Sequence, residues 1–100
     1  MTVMNGIWGK KFKKAGEIAS RSIAGETLLV PIRGRLADMQ RIFALNSVAE
    51  YIWKRLDGEK LLGEIRDEII AHFEVDRDQA DSDIQEFISE LIRENLILEN

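Results

Sequence analysis

A change of period at Asn46 decides what this chain can build. Beyond it, apolar residues recur at helical spacing. Asn46 or Ser47 can cap a helix N-terminus, and Ser47 with Glu50 has the capping-box spacing. Val48, Tyr51, Ile52 and Leu56 then form one stripe, which Ala49 and Trp53 widen, so this helix is buried over much of its circumference. Gly58 suits the left-handed residue that ends it. A second helix, roughly 61–73, places Leu62, Ile65, Ile69 and Phe73 on one face. Asp76 caps a third, long helix with Gln79 at the capping-box position. Its stripe is Ala80, Ile84, Phe87, Ile88 and Leu91, flanked by Ile92. Asn95 fits a left-handed C-cap, and 96–98 fits a short strand or a segment that simply packs down.

Before Asn46 the segments are short and extended. Residues 17–23 lack helix formers, and Ala24-Gly25 offers a tight turn. Residues 26–32 carry Thr27, Leu29, Val30 and Ile32, with Pro31 confined to an edge or a strand end. Residues 39–45 complete the set as a third strand. Strands segregated from helices imply an α+β domain. The expected fold is winged-helix-like: a three-stranded antiparallel sheet followed by three helices on one face. The sheet-first order is unlike the commonest DNA-binding versions.

Charge separates the two ends. Residues 1–24 carry +4, residues 25–46 carry +1 and residues 47–100 carry −9, giving the net −4. The basic stretch is no signal peptide, because Ile7 and Trp8 precede the lysines and no apolar run follows. The glycines at 6, 9 and 16 make residues 1–16 read as a basic flexible arm before one domain at 17–100. No run approaches the about 20 apolar residues of a membrane span. A cytoplasmic protein is the expectation.

Catalytic machinery is not visible. The chain has no cysteine and one histidine, His72, which removes thiolate chemistry and multi-histidine metal sites. Asp76, Asp78, Asp81 and Asp83 crowd a helix start, where acids suit the dipole, and they lack a calcium-loop pattern. Residues 58–64 lack the spacing of a phosphate loop. The expectation is a binding module without cofactor or metal.

The run 43–69 carries a more specific signal. Phe43, Leu45-Asn46, Ile52-Trp53 and Leu56-Asp57-Gly58 stand in order before a short helix, and a long acidic helix follows. This ordered set resembles the PqqD-like family, the coenzyme pyrroloquinoline quinone synthesis protein D group, over about 17–98. Two positions depart from the family pattern. Leu61 stands where Thr or Ser usually caps the second helix, and Asn95 stands where glycine is usual.

The resemblance implies a peptide-recognition element. Such domains bind the leader segment of a ribosomally made precursor peptide and present it to a modifying enzyme, often a radical S-adenosylmethionine enzyme. The leader adds to the third strand and lies against the third helix. On this chain those elements are Met39, Gln40, Arg41, Ile42 and Phe43, and Ile84, Phe87, Ile88, Leu91 and Ile92. Strand addition suits an edge with unpaired backbone groups. On the helix, Phe87 and Ile92 lie about 60–80° either side of Ile84, so one flank closes the core while the other lines a cleft. Two other classes compete. A winged-helix DNA binder needs cations on its third helix, where this chain has Arg77 and Arg93 among seven acids. A self-associating homodimer would use the same strand edge.

Unpaired donors alternate along a strand edge, so proline has a parity-dependent effect. Either Gln40→Pro or Arg41→Pro is expected to abolish leader binding, while the other mainly perturbs the sheet. Calorimetric titration of both variants checks this.

Overall fold

The computed structural model describes residues 3–16, 18–31 and 43–100. Val3–Gly9 form a 3-10 helix, followed by strands β1 (Lys11–Lys14), β2 (Ile18–Ile23), β3 (Glu26–Pro31) and β4 (Phe43–Leu45). Helix α1 (Ser47–Lys54), strand β5 (Asp57–Leu61), helices α2 (Leu62–Phe73) and α3 (Arg77–Arg93) and strand β6 (Ile97–Glu99) complete the chain. The domain is α+β, with a three-stranded antiparallel sheet ordered β2-β3-β4 and three helices.

In that sheet, Ala24 and Gly25 both take positive φ (53° and 82°) and close the two-residue β2–β3 hairpin. Strand β4 pairs with β3 through Thr27–Leu45, Leu28–Ala44 and Leu29–Phe43. Asn46 ends β4 and caps α1, its side chain accepting the Ala49 N–H at 2.8 Å. Glu50 does not close the expected capping box. Its carboxylate accepts the hydroxyl of buried Thr27, which ties α1 to β3.

A second sheet, β5-β1-β6, departs from the sequence expectation. Residues 3–14 are not a free arm. In β1, Phe12 points into the core while Lys11 and Lys13 remain exposed. The 3-10 helix adds Ile7 and Trp8 against that core. Backbone bonds tie the strand to both neighbours: Leu62 N–H to Lys10 O at 2.9 Å and Asn100 N–H to Lys11 O at 2.8 Å. These partners lie some 50 and 90 residues away along the chain, so local composition could not disclose them.

Gly58 also differs in role. Helix α1 ends at Lys54, and Gly58 sits in β5 with φ 83°. A Cβ there would come within 2.8 Å of Asn100 Nδ2, which donates to Gly58 O at 2.9 Å. Glycine is needed for the backbone, and any side chain there would also displace the Asn100 amide. Leu61 offers no side-chain acceptor to α2, and Glu64 accepts the Leu61 N–H at 2.8 Å instead. Asp76 caps α3 through the Asp78 N–H, whereas Gln79 donates to Asp83 rather than completing a capping box. Asn95 is left-handed (φ 60°) and closes α3, with the Leu96 N–H on Leu91 O at 2.8 Å.

The three helices, β1, β3, β4 and β6 share one core, which includes Leu29, Ile52, Leu56, Leu62, Ile84 and Leu91. Trp53 is 3% exposed. The Lys14 ammonium lies 5.0 Å from its ring centroid and donates to Leu56 O at 3.3 Å. Partial burial pulls this ammonium below its ordinary range, against the opposing effect of Asp57. Among the described residues, no helix is long and apolar enough to cross a membrane.

Glu68 joins α1, β5 and α2 at the surface. It accepts from Tyr51 Oη at 3.2 Å, from Arg55 Nε at 3.0 Å and from Lys60 Nζ. Arg55 also lies over the Tyr51 ring, 3.4 Å from its centroid, and His72 stacks on that ring at 4.9 Å. The Lys60 hydrogen bond, with help from Arg55 and against partial burial, holds the Glu68 carboxyl below the usual carboxylate range.

Two outcomes follow from this packing. Trp53→Ala is expected to cost about 3–5 kcal/mol. Urea unfolding followed by circular dichroism checks it, and a wild-type midpoint would contradict the burial. Glu68 has a depressed folded pKa, so its contribution is complete above its unfolded pKa and is lost as pH falls through the folded value. Wild type should therefore lose more stability than Glu68→Gln below about pH 4–5. Unfolding midpoints across that range measure the difference.

Candidate functional site

A cleft of about 340 Å³ opens between the β4–α1 junction and α3. Its strand side is Phe43, Ala44 and Leu45. Because Asn46 caps α1 at once, the first turns of that helix follow closely and supply Val48, Ala49 and Ile52. Apart from exposed Asn46 this wall is apolar, and its residues range from buried Leu45 and Ile52 to exposed Ala44. The Thr27–Glu50 bond fixes it against β3.

The opposite wall is one stripe of α3: Asp83, Glu86, Phe87 and Glu90. At about 100° per residue these positions occupy roughly a 100° arc. The arc adjoins the core stripe of Ala80, Ile84, Ile88 and Leu91, so one helix serves both the core and the cleft. Phe87 stands at the boundary, half-buried and packed against the core. The three acids are exposed or nearly so and give the cleft a negative rim. The cleft can accept apolar side chains on its floor and cations along its edge. Among the described residues, no group of three or more His, Asp or Glu side chains is placed to hold a metal ion.

The sequence-derived site residues fall into separate groups. Phe43 and Phe87 both line the cleft. Ile84, Ile88 and Leu91 are at most 1% exposed and do not line it; they belong to the core. The two flanks of α3 also separate. Phe87 faces the cleft, whereas Ile92 is 47% exposed and contributes nothing to the lining. Met39, Gln40, Arg41 and Ile42 lie outside the described residues.

The lining residues that sequence reasoning missed include Val48, Ala49, Asp83, Glu86 and Glu90. The two aliphatics were absorbed into the core stripe of α1, and the acids into solvated helix surface. The spacing 83, 86, 87, 90 was itself a signal, because it is a second helical stripe running beside the apolar one.

Comparison with known proteins bears on the same region. A family model described as coenzyme PQQ synthesis protein D (PqqD) matches residues 26–97. That span runs from β3 to the first residue of β6 and contains every residue of the cleft. Among solved structures, the chain is similar to TbiB1 in complex with the TbiA(β) leader peptide. The two are 28% identical with a TM-score of 0.68, and the similarity covers 85% of this chain and 93% of TbiB1. No curated protein matches.

Proposed function

The chain belongs to the PqqD family, and from that premise we propose that it is a non-catalytic recognition protein for the leader segment of a ribosomally made precursor peptide. The observation that carries the reading is the cleft between β4 and α3, whose floor is apolar and whose strand wall lies at the end of the β2-β3-β4 order. The likeness to a protein solved with a leader peptide supports it.

The mechanism is strand addition. A leader in extended form lies along β4 and continues the sheet through backbone hydrogen bonds. Those bonds supply affinity with little demand on sequence. Selectivity comes from the side chains that the leader turns toward Phe87, Val48 and Ile52. At about 340 Å³ the cleft is near the lower limit of ordinary ligand pockets, roughly 300–1,000 Å³. It therefore suits one or two side chains of a linear segment better than a folded surface. The bound leader is then presented to a modifying enzyme in the cytoplasm, a radical S-adenosylmethionine enzyme in this reading. The protein itself supplies proximity, raising the local concentration of the peptide that follows the leader.

DNA binding finds little support in the arrangement, because the accessible arc of α3 carries Asp83, Glu86 and Glu90.

Amide chemical-shift mapping with a candidate precursor leader peptide tests the proposal. Shifts should cluster on 43–49 and 83–90. Phe87→Ala should weaken binding about ten-fold with the fold retained, while Ile92→Ala binds as wild type. Shifts confined to Lys10–Lys14 that vanish with salt would overturn the reading.

A further inference from the structure

We propose that the cleft selects an extended peptide carrying Lys or Arg at two positions on the side it turns toward α3. The inference rests on the peptide-recognition reading and adds the chemistry of the peptide.

The acids on α3 are not equivalent. Asp83 accepts Gln79 Nε2 at 2.9 Å. Glu86 and Glu90 are exposed, and neither has an ion-pair partner among the described residues. They stand four residues apart, which is about 6 Å along the helix axis. Side chains on one face of an extended peptide recur every two residues, about 6.6 Å. For a peptide that runs along α3, two cations at i and i+2 on the helix-facing side match Glu86 and Glu90 in spacing.

The floor beneath the rim favours long cations over short ones. Phe87 lies between Glu86 and Glu90 in sequence and lines the same cleft, with Val48 and Ala49 on the other wall. A Lys or Arg stem can cover this apolar surface while its charged head reaches the rim. One side chain thus meets both demands of the cleft. An acidic peptide would set like charges against Glu86 and Glu90 with no cation among the lining residues to offset them. The field of residues 47–100, which hold fifteen acidic against six basic side chains, adds attraction at longer range.

A random library of linear peptides, selected on the full-length protein at low salt, tests this. The retained pool should be enriched in Lys or Arg at i and i+2. A peptide synthesised from that pool should bind about five-fold more weakly to Glu86→Gln/Glu90→Gln. It should bind unchanged to Glu59→Gln/Glu74→Gln, whose exposed acids lie outside the cleft. Retained peptides that shift the Ala44, Val48 and Phe87 amides without cationic enrichment would overturn the charge selectivity and leave peptide recognition standing. So would an affinity that both double variants reduce equally. A library yielding no peptide that shifts those amides would overturn both.

Discussion

The pairing of β1 with both β5 and β6 is the constraint on which the rest of the arrangement depends. Strand β5 leads directly into α2, and β6 follows α3 after a tight left-handed turn at Asn95. By bonding to both, β1 holds the start of one helix and the end of the other to a common backbone frame. The Ala15 N–H on Leu96 O at 2.9 Å extends that frame to the exit of α3. The cleft has α3 as one wall and the β4–α1 junction as the other. Its width is therefore set partly by a strand that does not line it. Residues 1–25 also lie outside the span that the PqqD family model matches. In this chain, a segment beyond that span fixes the position of a helix within it.

Helix α3 shows how one helix can serve both a core and the wall of a surface cleft. A helix needs only about 100° of its circumference to anchor in a core. Ala80, Ile84, Ile88 and Leu91 occupy that arc and are almost fully buried. The next arc, centred near Asp83 and Glu90, is then held rigidly at the surface. Phe87 lies where the arcs meet, so its ring is supported by core contacts while remaining partly accessible. An aromatic held this way loses little conformational freedom when a partner packs on it.

Much of this was legible in the sequence, and the remainder has identifiable causes. The helices were visible because their signals are local: Asn46 and Asp76 as caps, and the regular stripes that follow them. The buried Trp53 followed from the unusual breadth of the α1 stripe. The place of β1 was not visible, since four residues with three lysines give no sign of partners at 57–61 and 97–99. Gly58 was recognised as left-handed but placed in a helix cap, because a bulged strand and a C-cap ask the same of a glycine. In the cleft, Phe87 and Ile92 were symmetric about the core stripe. Only the approach of β4 and α1 from one side distinguishes them.

The residues of the core beneath the cleft and those of its rim are under different constraints. Residues that close the core beneath it, such as Ile52 and Ile84, cannot change without loss of stability. Thr27 and Glu50 are constrained as well, because a buried hydroxyl deprived of its acceptor carries a desolvation cost of about 1–3 kcal/mol. The rim is under neither restriction. The Glu86 and Glu90 side chains are exposed and make no hydrogen bond or ion pair among the described residues. A scaffold built this way can keep its cleft geometry while its rim charges are exchanged. Rim charge can then vary at exposed positions of α3, while the core that holds the helix in place is left unchanged.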